Sequence, residues 1–236
     1  MAQPSTSKSA LAGALPAWAL RLSRLQRQHF LLKVAGICLF MSVFFALYFH
    51  TLRAPAYPVF TMPLTALDHA VRFEPAALWP YASLWLYVGI APGLMPSLHA
   101  LLRYGVWAAG LCMTGLVIFY FAPSAVPPRL LPTDALAHPG FALLQGVDAA
   151  GNACPSLHVA TAVFSAFWIR HLLHGAGAPA WTQALNAAWV VAIVWSTLAT
   201  RQHVALDALA GALLGASFAW GALRWGPTVE APVSSA

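Results

Sequence analysis

The stretch Tyr104–Val126, YGVWAAGLCMTGLVIFYFAPSAV, contains no charged residue and no polar face. A helix that crosses a bilayer needs about 20 predominantly apolar residues, whereas a surface helix of a soluble domain keeps one polar side toward water. The stretch therefore reads as a transmembrane helix, and the remainder of the chain is read outward from it. Upstream lie Phe30–Phe49, interrupted only by Lys33, whose stem is long enough to snorkel, and Leu78–Met95, which contains Pro80 and Pro92. Downstream lie Pro155–Leu173, Gly175–Thr200 and His203–Leu223. The expected fold class is all-α, a polytopic membrane protein with six transmembrane helices in a bundle. Residues 29–225 form that domain, with a basic segment 1–28 before it and a short tail 226–236 after it.

Composition agrees. Of 236 residues, 60% are hydrophobic and 8% charged, against roughly 25% charged in a soluble protein. The net charge of +6 does not point to nucleic acid, because the basic residues cluster before the first apolar run or in short connections. With the N-terminus cytoplasmic, the inner side collects Lys8, Arg21, Arg24, Arg27, Lys33, Arg103, Arg170 and Arg224. The outer side holds Arg53, Arg72, Arg129 and Arg201. That excess favours N-in, in a membrane of the bacterial inner type. The N-terminus does not read as a signal peptide, since its basic cluster follows the mild apolar stretch. Leu11, Leu15, Trp18, Leu22 and Leu25 recur at helical spacing beside the arginines, with Pro16 interrupting. Both a helix on the inner leaflet and a disordered basic tail fit. Cys38, Cys112 and Cys154 make no disulfide framework.

Ionisable groups in or beside spans are costly and are functional candidates by default. Two clusters qualify: Pro155-Ser156-Leu157-His158 opens the fourth span, and His203-Val204-Ala205-Leu206-Asp207 opens the sixth. His203 and Asp207 share one helical face, so the carboxylate can hold the imidazole, fix its tautomer and raise the basicity of its other nitrogen. Pro155 suits a first helical position, and free N–H groups around Ser156 and Leu157 would make an anion site. The topology brings Arg129, Ser156, His158, Arg201, His203 and Asp207 to one face. Met95-Pro96-Ser97-Leu98-His99 repeats the short string at the end of the second span, on the opposite face and without a His–Asp pair, and His99 is read as an interfacial residue. Asn152 and Cys154 are read as shaping a turn.

With these residues on the page, the chain resembles the type 2 phosphatidic acid phosphatase superfamily. Pro155-Ser156-Leu157-His158 and the run Ser196–Asp207 look like its second and third signatures, and Pro127-Pro128-Arg129 occupies the end of its first. The resemblance implies six helices, no metal or other cofactor, and a phosphohistidine intermediate. His203 would attack phosphorus, Asp207 orient it and His158 protonate the leaving oxygen, while Arg129 and Ser156 hold phosphate oxygens. Two positions depart from the pattern: Ala122 stands where the first signature has Lys, and Thr197 where the third has Arg. Arg201, one turn after Thr197, is the expected replacement cation. Ser196, Thr197 and Thr200 are similar to the inositol phosphorylceramide synthase branch, which moves a phospho-headgroup between lipids. The expected activity is a lipid-phosphate phosphatase acting on a phosphomonoester or diphosphate at the outer (periplasmic) face. A lipid phospho-headgroup transferase and a catalytically silent lipid-binding protein are the alternatives. The His–His–Asp set could also hold zinc, though it lacks a fourth ligand.

The orientation has a direct check. A cysteine placed at Ala150, in a background without the native cysteines, should react in intact cells with a membrane-impermeant thiol reagent. Reaction only after lysis reverses the topology.

Overall fold

The computed structural model describes residues 15–128 and 152–225. Within them the chain is mostly helical: α1 (Ala17–Arg27), α2 (Phe30–Arg53), α3 (Ala66–Ala70), α4 (Leu78–Ala82), α5 (Leu84–Gly93), α6 (Leu98–Phe121), α7 (Leu157–Gly175), α8 (Ala180–Ala199) and α9 (Ala205–Trp225). One small departure from an all-α reading is a parallel pair of two-residue strands, β1 (Phe60–Thr61) and β2 (Ser124–Ala125). Four of the described helices, α2, α6, α8 and α9, are long and apolar enough to cross a membrane, and the chain is a membrane protein.

The other two expected spans differ in instructive ways. The second breaks at Ser83 into α4 and α5, a stretch that carries both Pro80 and Pro92. Proline removes a backbone donor and clashes with the preceding turn. The fourth is the unbroken helix α7, whose Arg170, His171 and His174 lower its hydropathy toward one end. The strong stretch that begins at Tyr104 starts six residues earlier as a helix, because Ser97 caps it by accepting the Ala100 N–H at 3.1 Å. His99 therefore belongs to the first turn of α6, not to the end of the preceding span.

The basic segment supplies α1, which Pro16 opens instead of interrupting. His29, with φ of 54°, turns the chain into α2; this left-handed conformation is uncommon outside glycine, although His tolerates it better than most residues. Trp18 stacks edge-on against Trp181 at the start of α8, with centroids 6.0 Å apart. Lys33 does not snorkel. It is 2% exposed, and its Nζ donates to the carbonyls of Leu25 at 2.7 Å and Gly93 at 2.8 Å. These oxygens lie in the last turns of α1 and α5, where helix carbonyls lack partners, so one buried ammonium ties both helix ends to α2.

The bundle is organised on α7, which packs against α5, α6, α8 and α9. Its tightest partner is α9. A Cβ built on Gly211 would fall on the Ser156 carbonyl, and one on Gly215 on the Ala160 carbonyl, so only hydrogen at these two positions lets the backbones meet. Without a hydrophobic force between helices in lipid, such close approach is what gains packing energy. A buried polar link adds direction: the Tyr87 hydroxyl donates to Asn186 Oδ1 at 2.7 Å, and Asn186 Nδ2 donates to the Ala166 carbonyl at 3.0 Å. These bonds join α5, α8 and α7.

At the end of the bundle where α2 and α6 finish, the connecting segments knit together. Asn152 donates to the Tyr48 carbonyl at 2.9 Å and to Thr51 Oγ1 at 3.0 Å. Ser124 accepts the Ala153 N–H through its carbonyl and the Cys154 N–H through its hydroxyl. The turn-shaping reading of Asn152 and Cys154 thus has a concrete form: they splice the start of α7 onto the ends of α2 and α6.

Gly215→Leu should force α9 away from α7 at a cost of about 3 kcal/mol, as overpacking does, and lower the thermal midpoint in detergent. Gly89→Ala, whose new Cβ meets nothing within 4 Å, should be neutral or stabilising by up to ~1 kcal/mol. Equal midpoints for Gly215→Leu and the wild type would mean the crossing is looser than described.

Candidate functional site

The end of α8 sets the geometry. Arg201 N–H donates to Leu198 O at 3.0 Å and Gln202 N–H to Thr197 O at 3.1 Å. This pair of bonds is the Schellman ending, which places its next residue in the left-handed region. That residue is usually glycine, and here it is Arg201, with φ of 59°. A non-glycine residue pays roughly 1–2 kcal/mol there. The turn reverses the chain within three residues, so His203 N–H also reaches Thr197 O, at 3.0 Å, and α9 begins at once.

Asp207 sits in the first turn of α9 and is 0% exposed. Its two oxygens accept the Val204 N–H at 3.1 and 3.2 Å, which satisfies an orphan donor of the helix start. With the carboxylate so held, Oδ1 lies 3.4 Å from His203 Nδ1. That separation is just beyond an ordinary hydrogen bond and closes with a small ring movement; catalytic hydrogen bonds are often long before substrate arrives. Nε2 of His203 is the nitrogen left on the far side of the ring from Asp207.

α7 brings the second histidine. The Ser156 N–H donates to Asp207 O at 3.0 Å, and the Ser156 hydroxyl accepts the Val159 N–H at 3.2 Å. Ser156 is fully buried. Ser156 thus joins two helix starts, with its N–H engaged by Asp207 and its hydroxyl oxygen serving as the cap acceptor. His158, in the first turn of α7, stacks on Tyr81 with centroids 4.1 Å apart and planes 15° apart, and Trp85 packs edge-on to it at 6.3 Å. The backbone of Tyr81 offers the ring a hydrogen bond, while Nε2 has no hydrogen-bond partner among the described residues. The His158 and His203 rings face one another with centroids 6.4 Å apart. Both line a cavity of about 920 Å³, and Arg201 lines it too.

Arg201 stands between this cavity and a second one of about 510 Å³ lined by Leu64, Asp68, His69, Arg72 and Phe73. Its guanidinium lies 5.6 Å from the Phe73 ring centre, a cation–π contact. Arg129 lies outside the described residues. Burial, then the charge of Asp207, push the Cys154 thiol up, which disfavours the reactive thiolate.

The second copy of the short string folds the same way locally and differs in its surroundings. Ser97 caps α6 as Ser156 caps α7, yet His99 is exposed. Three contributors were not read from sequence. Tyr81 and Trp85 come from the broken segment α4–α5, and no spacing rule links them to His158. Asp68 is 5% exposed; its Oδ1 accepts the Ala205 N–H at 2.9 Å, and Oδ2 accepts the Thr65 N–H and hydroxyl, each at 2.8 Å. It therefore clamps the short helix α3 onto the first turn of α9. The only signal available was its capping-box spacing, Thr65-x-x-Asp68.

The chain matches the family described as the PAP2 superfamily over residues 34–230. No curated protein and no solved structure matches it. The match spans well over half of the chain and contains every described site residue. The protein belongs to the PAP2 superfamily, a membership that supports phosphatase-type chemistry in the broad sense.

Asp68→Ala should strand three donors, two of them backbone, and loosen the start of α9. The expected cost is about 1–3 kcal/mol, read as a lower thermal midpoint, together with reduced turnover. Asp68→Asn, which keeps an acceptor for Ala205, should recover most of the loss. Identical behaviour of the two variants would show that the charge alone matters.

Proposed function

We propose that the protein is a metal-independent lipid-phosphate phosphatase working through a phosphohistidine on His203. The single observation that carries this reading is the pair of histidines lining one cavity 6.4 Å apart, one backed by a buried, clamped carboxylate and the other with an Nε2 that has no partner among the described residues. Nε2 of His203 forms the bond to phosphorus as the bond to the lipid oxygen breaks. The departing oxygen takes its proton from His158. Water then attacks the phosphohistidine, returning a proton to His158 and releasing inorganic phosphate. Arg201 supports the developing charge in a site sheltered from water. Arg129 is proposed as its companion cation. The first turn of α7, opened by Ser156, is proposed to face the phosphate with its remaining N–H groups.

The hydroxyls that suggested a headgroup transferase have other work. Ser196 Oγ donates to Ile193 O, Thr197 to Val194 O and Thr200 to Ser196 O, at 2.6–2.7 Å, and all three residues are buried. They are spent on the last turns of α8, and water remains the preferred acceptor. On this reading α4–α5 together and α7 complete a six-span bundle. The site lies at the outer face of a bacterial-type inner membrane, with lipid phosphate as substrate.

Rapid quench with a labelled lipid phosphate should trap acid-labile phosphate that maps to His203. His158→Ala should slow turnover by roughly 10²–10⁴-fold, the usual worth of a general acid, while His99→Ala should stay near wild type. Label on a serine, or full activity in a folded His203→Gln protein, rejects the mechanism.

A further inference from the structure

The cavity of about 920 Å³ does not stop at the histidines. From His203 and His158 it continues between α2, α5, α6 and α7 as far as Gly36 on α2 and Leu101 and Gly105 on α6. The lining beyond the histidines is chiefly apolar, with Phe40, Phe44 and Val88 among its walls. Sixteen residues of α2 separate Gly36 from Leu52, which lies at the site end; at ~1.5 Å per residue this is ~24 Å, room for an extended chain on the order of 19 carbons. One leaflet offers only about 15 Å of hydrocarbon, half of the bilayer core.

Two glycines hold the far end open. A Cβ added at Gly36 or at Gly105 meets nothing within 4 Å, unlike Gly211 and Gly215, where backbone is already in the way. Glycine in a helix interior costs up to ~1 kcal/mol relative to alanine. At Gly36 and Gly105 no close packing compensates that cost; what the missing side chains leave is space.

We infer that this cavity is the binding site for a single hydrocarbon chain of the substrate, longer than one leaflet is deep, and that Gly36 and Gly105 set the chain length accepted. The inference rests on the phosphatase reading, since it is the phosphate between His158 and His203 that anchors the chain's upper end. A chain leaving lipid for the cavity gains little from the hydrophobic effect, because lipid tails are equally apolar. The discrimination comes from dispersion contacts: a chain that fills the cavity touches its walls, and a short one leaves a gap with no partner atoms.

The test uses the purified full-length protein and single-chain alkyl phosphates of 10 to 22 carbons. Wild-type kcat/KM should rise with length until about 18–20 carbons and then level. Gly36→Leu and Gly105→Leu, which raise helix propensity and enter open space, should each lower the ratio of kcat/KM for the longest to the shortest substrate at least tenfold. A ratio unchanged in both variants overturns the inference and leaves the phosphatase reading intact. Absence of turnover with every substrate would reject that reading instead. In that event, photolabelling with a long-chain alcohol bearing a terminal diazirine still decides the cavity. Cross-links near Gly36 and Leu101 support chain occupancy, and cross-links confined to the outer faces of α2 and α6 exclude it.

Discussion

Everything at the site hangs on the crossing of α7 and α9. At Gly211 and Gly215 the α7 backbone occupies the volume a side chain would need, and the Ser156 N–H closes the contact by donating to the Asp207 carbonyl. Two helix starts are thereby locked together at main-chain distance. The consequence is chemical as well as mechanical: the histidine in the first turn of α7 and the histidine just before α9 are held opposite one another. Side chains packed at ordinary helix separation would leave their rings too far apart to share a phosphate.

Around that crossing, the bilayer sets the rule that polar groups find partners inside the protein. The structure obeys it in several ways. Lys33 spends its charge on the carbonyl ends of two helices. Asn186 bridges α5 and α7. Asp207 and Asp68 each take up N–H groups at the start of α9. The last two keep α9 in register, one from within its own first turn and one from α3, more than a hundred residues earlier. A buried carboxylate that accepts several N–H bonds is held in one orientation, which is what a histidine partner requires of it.

The departure at Thr197 also acquires a physical account. A serine and two threonines end α8 with hydroxyls turned to their own helix's carbonyls, so the helix closes with no cation on that turn. The cation appears four residues on, at Arg201, in a backbone conformation that costs free energy and is enforced by the Schellman bonds. Strain of this kind, found where a charged side chain is aimed into a cavity, fits the pattern of functional sites.

How much of this was legible depended on whether the cause was local. The lack of charge in Tyr104–Val126, the capping power of Ser97 and Ser156 and the four-residue step from His203 to Asp207 are properties of neighbouring residues. The sequence by itself therefore determined the membrane class, the start of α7 and the four-residue pairing of His203 with Asp207. It placed Pro96-Ser97-Leu98-His99 at the end of a span, where the structure begins α6, and it did not show how that histidine would differ from His158. That difference was decided by the tertiary structure, because only α7 has α9 pressed against its backbone and Tyr81 stacked on its histidine. The burial of Lys33, the reach of Asp68 to Ala205 and the position of Arg201 between two cavities were likewise set by packing. Each joins residues with no fixed sequence spacing, and contact across space carries no local pattern to read.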